Sequence, residues 1–197
     1  MNPTIILKII DSLTNNKIMN DKVSEDILNV FNNIGIEISD ERNIQFNRED
    51  RLKLAIIALK NGVDIKEVAK VLSWKDFEYF ASIILNEHNY QVYNSVRIKR
   101  LEIDILAIDD LALVIDCKHW KYNNNSMLKK AVEKQIRRIE LLLNSNRFDI
   151  SYAVPIILTL HESISFIDKV PIVPITKFDS FIGEFKGYLD HICIIKR

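Results

Sequence analysis

Cysteine is scarce: there are two in 197 residues, Cys117 and Cys193. That excludes a disulfide scaffold, and both thiols are expected to be reduced and buried, as in a cytoplasmic protein. Zinc spacings are missing as well. No CxxC or HxxxH pattern occurs, and His88, His119, His161 and His191 are scattered along the chain. No run of about eighteen uncharged apolar residues is present, so no membrane span is expected. The opening MNPTIILKIIDSL has no basic leader and no small-residue cleavage site, and Lys8 and Asp11 interrupt its apolar run. No signal peptide is expected from it. Excess charge is absent too, because 27 Lys and Arg balance 27 Asp and Glu. A nucleic-acid partner would therefore have to be met by a local patch.

What is present fits a globular protein with one good core or two small ones: 48% of residues are apolar and 27% charged. Residues 1–72 read as a helical domain. Thr4 to Leu13 and Lys22 to Ile34 carry apolar residues at three- and four-residue spacing. Asn47 is an N-cap followed by acids, opening a helix through Lys60 that Gly62 stops. Asp64 caps a short helix, IKEVAKVL. Ser39 to Phe46 has no assignment. ALKNGVDIKEVAKVL has the outline of a helix-turn-helix, but Asn61 breaks it, and Lys66, Glu67 and Lys70 are barely basic. It reads as an ordinary helical hairpin in preference. Ten basic and eleven acidic residues over 1–72 give no DNA clamp, and a dimer contact is as plausible there.

Residues 73–197 change character. Trp74 to His88 is an amphipathic helix with Trp74, Phe77, Phe80, Ala81, Ile84, Leu85 and His88 on one face. Three strand-like runs follow, Tyr90 to Ile98, Leu101 to Ile108 and Leu111 to Lys118. Their short turns predict an antiparallel meander. A polar loop leads to a helix over Met127 to Leu143. Ser151 to Leu160 is a strongly apolar strand, and Val170 to Ile175 a short one near a sheet edge. A helix over Phe178 to Leu189 and a last strand at Ile192 to Ile195 close the chain. The expected class is α/β: a mixed sheet flanked by helices, preceded by an all-α domain.

Chemistry concentrates in LEIDILAI and LVIDCKHW. Alternation puts Glu102, Asp104 and Leu106 on one face, and Asp116 and Lys118 on one face, with Cys117 opposite. Counted outward from the Asp109-Asp110 turn, Asp104 and Asp116 sit at the same end of the hairpin. Two carboxylates so close repel unless a cation lies between them, and a hard divalent ion, Mg²⁺ or Mn²⁺, suits all-oxygen ligands. Lys118 projects beside Asp116, where it can orient a water or stabilise charge developing on phosphorus. Glu78 lies at the border of its helix's apolar stripe. Gln135 lies in the middle of an apolar face formed by Leu128, Val132, Ile139, Leu142 and Leu143. A buried amide there either bonds a sheet terminus or reaches a polar site. From Lys118 to Arg147 there are eight Lys or Arg and only two acids, Glu133 and Glu140. That patch suits phosphate, or is a basic solvated helix face. Trp120 is expected to cover the core edge; Tyr122 either does the same or stacks on a base.

WKDFEYFASIILNEHNYQV, LEIDILAI and LVIDCKHW, followed by a helix with Gln135, resemble the PD-(D/E)XK nuclease superfamily, and most of all its Mrr-like, restriction-endonuclease-like members. The resemblance covers about residues 73–180. Ile103 replaces the proline of the motif's name, and Asn89 the glycine that often closes the first helix. The resemblance implies hydrolysis of DNA phosphodiesters, of restriction or of repair and junction type. It implies metal ligation by Asp104, Asp116 and Glu78, a catalytic Lys118, and Gln135 as the helix glutamine some members carry. DNA contacts fall to Lys121, Lys129, Lys130, Lys134, Arg137 and Arg138, and a duplex cut suggests a homodimer. The rival reading is a non-enzymatic DNA-binding regulator with a decayed nuclease domain.

Overall fold

A computed structural model describes residues 17–19, 25–36, 43–63, 68, 73–118, 124–160 and 164–197. The chain divides into two compact units, Met1–Asp76 and Phe77–Arg197. The helices expected at Thr4 to Leu13 and IKEVAKVL lie outside the described residues, apart from a buried Val68 in the latter.

In the first unit, β1 (Lys17–Met19) pairs antiparallel with β2 (Asn43–Gln45). This two-stranded ribbon adds to the helical content read from the sequence, and β2 falls in the stretch that had no assignment. Helix α1 (Glu25–Asn33) buries Ile27 and Phe31, one turn apart, and Phe31 meets Phe46 edge-on at 5.5 Å. Helix α2 (Arg48–Lys60) starts as its sequence implies. The Asn47 side chain accepts from the Asp50 N–H, and the Asp50 carboxylate accepts from the Asn47 N–H, a capping box. At its end Gly62 is left-handed, φ +85°, and the Val63 N–H returns to the Ala58 carbonyl.

Helix α3 (Trp74–Glu87) opens with a second capping box, at the edge of the first unit. The Ser73 N–H donates to Asp76 Oδ2 at 2.8 Å, and Ser73 Oγ accepts from the Asp76 N–H at 3.3 Å. Farther along, α3 buries Phe77, Ala81, Ile84 and Leu85, while Trp74, expected on that face, is half exposed at the helix's first turn.

The second unit is built on a seven-stranded mixed sheet in the order β3-β4-β5-β6-β8-β7, with β9 also on β6. The strands are β3 (Gln91–Ile98), β4 (Leu101–Ile108), β5 (Ala112–Lys118), β6 (Tyr152–Thr159), β7 (Ser165–Ile167), β8 (Val170–Pro174) and β9 (Ile195–Lys196). β3, β4 and β5 form the expected antiparallel meander. Helix α4 (Asn125–Asn144) then crosses over so that β6 runs parallel to β5. β6 reads YAVPIILT and is buried almost throughout, as a strand covered on both faces must be. Its Pro155 falls between the positions paired with β9 and those paired with β8, where that flank of β6 has no ladder partner. β7 was not foreseen. It is the outer strand, so proline-bearing β8 lies one place in from the edge. The helix expected from Phe178 is α5 (Phe178–Gly183), continued by a 3-10 helix over Phe185–His191.

α4 covers one face of the sheet. Ile139, Leu142 and Leu143 pack with Leu106 and Val114, and Leu128, Ala131 and Val132 with Ile157 and Ile172. At the other face, α3 bonds β3 through Ser82 Oγ and Asn94 Oδ1 at 2.7 Å. α3 also meets α5 through His88 Nε2 and Asp179 Oδ1 at 2.9 Å.

Burial alone would raise the Asp76 pKa, but the Ser73 N–H, the Arg48 guanidinium and the Ser73 hydroxyl outweigh it and hold the carboxyl below its ordinary 3.8. Its stabilisation is therefore fully present above the unfolded-state value and is lost as pH falls through the lower folded one. Asp76→Ala is expected to cost about 1–2 kcal/mol at neutral pH, with the gap to wild type closing in acid; urea melts across pH check this.

Candidate active site

The site forms where the β4–β5 ladder stops. Pairing runs from Ile108 and Ala112 to Ile105 and Ile115; the next partners in that register would be Asp104 and Asp116. The β3–β4 ladder is also interrupted there. Asn94 pairs with Ile105 and Val96 with Ile103, but Ser95, across from Asp104, is left-handed at φ +52° and makes no pair. The irregularity switches the strand's faces. Ile103 and Leu106 enter the same core cluster, which strict alternation forbids. The expectation that Glu102, Asp104 and Leu106 share one face therefore fails at Asp104. Its carboxylate instead fills the break, and Oδ2 accepts the Cys117 N–H at 2.8 Å in place of a main-chain partner.

Asp116 is 1% exposed. Arg138 Nη1 donates to its Oδ1, and Lys118 Nζ lies 2.6 Å from its Oδ2. That second contact is an ion pair off hydrogen-bond geometry, since Oδ2 has no hydrogen-bond partner. Gln135 uses both ends of its amide. Nε2 donates to the Val114 carbonyl at 2.7 Å, and Oε1 accepts from Arg138 Nη1 at 3.0 Å. It thus bonds the main chain of β5 two residues before Asp116 and also braces a side chain of the site. The main-chain partner is a mid-strand carbonyl of β5, not the sheet terminus that the sequence reading offered.

Two carboxylates therefore face two cations. Burial, and then the neighbouring Asp116 charge, hold the Asp104 pKa above its ordinary value, although the Cys117 N–H, Arg138 and Lys118 act against the rise. Cys117 is partly accessible as a residue, against the expectation of full burial, as is Cys193. The Cys117 thiol is nonetheless pushed well above its ordinary value, first by burial and then by the negative field of Asp104, Glu78 and Asp116. It is not poised as a nucleophile.

Glu78 is nine-tenths buried on α3, and its charge is felt at Cys117. Among the described residues no group of three His, Cys, Asp or Glu is close enough to hold an ion. The pair Asp104 and Asp116 still fits Mg²⁺, which takes one or two carboxylates and keeps several waters. The buried Oδ2 of Asp116, ion-paired with Lys118 but without a hydrogen bond, beside a second, repelling carboxylate is the donor chemistry such an ion satisfies.

The DNA-facing candidates separate. Lys130, Lys134 and Arg137 are exposed at i, i+4, i+7 spacing. Lys130 and Lys134, with Lys118, Met127 and Ala131, line an open cleft of about 300 Å³. Lys129 is exposed on a different cleft, beside Leu128, Phe166 and Asp168. Lys121, Trp120 and Tyr122 lie outside the described residues. Arg138, expected at the DNA, is 6% exposed and turned toward Asp116. Sequence reasoning missed that role. The available signal was that positions 135, 138 and 142 run along one stripe of α4, so a cation lay on the core-facing side with the glutamine.

The seven-stranded mixed sheet with its flanking helices is a restriction-endonuclease-like α/β fold. Residues 69–154 match the family model described as restriction endonuclease, the Mrr catalytic domain, which is a family of PD-(D/E)XK nucleases. Neither the curated proteins nor the solved structures searched gave a match. The matched segment runs from the start of α3 to β6 and contains Glu78, Asp104, Asp116, Lys118 and Gln135.

Because the Asp104 pKa is raised, its ionised form weakens the fold, and stability recovers as pH falls through the folded value. Asp104→Asn keeps an acceptor for the Cys117 N–H and removes the charge. In EDTA at neutral pH it is expected to melt above wild type, with the difference shrinking toward acid; a variant that melts lower at neutral pH would contradict this electrostatic picture.

Proposed function

We propose that the protein cleaves DNA internally by divalent-metal-dependent phosphodiester hydrolysis. The observation that supports this best is the juxtaposition of Asp104, Asp116 and Lys118 at the β4–β5 break, with Lys118 also lining the cleft shared with Lys130 and Lys134. The family match supplies the reaction class: its members are nucleases.

In this reading Asp104 and Asp116 would hold Mg²⁺ or Mn²⁺, which would supply Lewis-acid polarisation of the phosphoryl group. Lys118 has a partly exposed side chain. Its ammonium orients the attacking water and stabilises negative charge building on the phosphoryl oxygens. Lys130 and Lys134 take phosphates of the strand in the cleft, and Arg137 extends the same line along α4. Gln135 keeps β5 and Arg138 in register with Asp116. Glu78 sets the field on the Cys117 side. Lys129, on another face of the helix, reaches a more distant phosphate. Cutting both strands of a duplex takes two such sites, which a homodimer provides.

The decisive assay incubates plasmid, branched and single-stranded DNA with Mg²⁺, Mn²⁺ or EDTA. Lys118→Ala is expected to lose about a hundredfold or more in cleavage rate while binding DNA within a few-fold of wild type. DNA binding without cleavage of any substrate by wild type would instead support a non-enzymatic regulator. Preference among the three substrates separates restriction from junction or repair activity.

Lys130→Ala and Lys134→Ala are each expected to weaken binding on all DNA sequences alike and to lower the salt dependence by about one unit of slope. Binding isotherms at several salt concentrations report this. An unchanged slope would remove both lysines from the phosphate contact.

A further inference from the structure

Arg138 is the residue whose place the proposed chemistry does not explain. It is buried, its Nη1 donates to Asp116 Oδ1 and Gln135 Oε1, and its Nε has no hydrogen-bond partner. A guanidinium carries five donors, and burying one with a donor unmet is costly unless its charge is needed there. The charge it meets is a carboxylate 1% exposed.

We propose that Arg138 is a resident counter-ion, seated on the Asp116 carboxylate, that sets how tightly the site takes its divalent ion. This rests on the reading of Asp104 and Asp116 as the ligands. Without an ion, the two carboxylates are already balanced by Arg138 and Lys118. An incoming divalent cation therefore enters a site close to neutral and meets the field of both cations. Lys118 is partly exposed and lines the cleft. Arg138 differs. It is buried, and Gln135 ties it to the Val114 carbonyl. Its repulsion persists when the ion is bound. Arg138 is a positioning residue for Asp116 and touches no reacting atom.

The test compares wild type, Arg138→Gln and Arg138→Lys without DNA. Mn²⁺ affinity is titrated by electron paramagnetic resonance, and melting is followed with and without the ion. Arg138→Gln is expected to melt below wild type in EDTA. It is expected to bind Mn²⁺ at least about tenfold more tightly and to gain more thermal stability from it. Arg138→Lys keeps the charge and is expected to bind Mn²⁺ as wild type does. A purely structural arginine would lower both melting curves and leave the ion's affinity and stabilising effect unchanged. If Arg138→Gln is unfolded in EDTA, circular dichroism carries the same test, because Mn²⁺ must then fold it. Wild-type or weaker Mn²⁺ affinity in Arg138→Gln, or failure to fold at saturating Mn²⁺, overturns the inference. Absence of Mn²⁺ binding by all three proteins overturns the two-carboxylate reading itself.

Discussion

The site depends on one buried carboxylate. Asp116 sits near the end of a strand whose preceding residues are all apolar, and a bare charge there would cost several kcal/mol. The surroundings are arranged around that cost. α4 crosses the sheet at a height that brings Gln135 to the Val114 carbonyl and Arg138 to Asp116. Lys118, two residues along the strand, closes on the second oxygen. The same helix supplies Ile139, Leu142 and Leu143 to the core, so the position of the polar brace and the packing of the apolar face are set together. A small shift of α4 would loosen both.

The break in the ladder is the second condition. A regular β4 would present its carboxylate to one face and leave Cys117 bonded to main chain. The left-handed Ser95 and the missing pairs on either side of Asp104 turn that carboxylate into the gap, where it takes the Cys117 N–H itself. A left-handed serine is uncommon and carries a conformational cost. Here that cost accompanies the placement of a carboxylate whose pKa is raised first by burial and then by the nearby Asp116 charge. Local regularity is given up at the point where two like charges are brought together.

Much of this was legible in the sequence, and the reasons differ by residue. The meander, the long helix after it and the apolar strand beyond followed from periodicity and short turns, because period two and period 3.6 are hard to confuse over eight or more residues. β7 escaped because three residues, SFI, are too few to show a period. The Asp104–Asp116 register came from counting outward from a turn. The face switch at Ser95 could not be counted, because it arises from a local backbone choice that no side-chain pattern announces. Gln135 stood out because an amide on an apolar face demands partners. Arg138 did not, because one arginine among eight cations between Lys118 and Arg147 looks like part of a basic surface. Only the helical angle it shares with Gln135 and Leu142 tells it apart from exposed Arg137.

That contrast explains how one helix serves two purposes. Consecutive residues on a helix point about 100° apart. Arg137 and Arg138 therefore face different surroundings although they are chemically identical neighbours. Along the outer line, Lys130, Lys134 and Arg137 remain solvated, where they can exchange counter-ions for phosphates at little cost. Along the inner line, Gln135 and Arg138 are stripped of water, so each interaction is stronger and each unmet donor dearer. Lys118 belongs to both environments, because it lines the cleft with Lys130 and Lys134 and pairs with Asp116. Under the proposed hydrolysis a phosphate in that cleft would meet Lys118 beside the paired carboxylates, while Arg138 stays buried against Asp116.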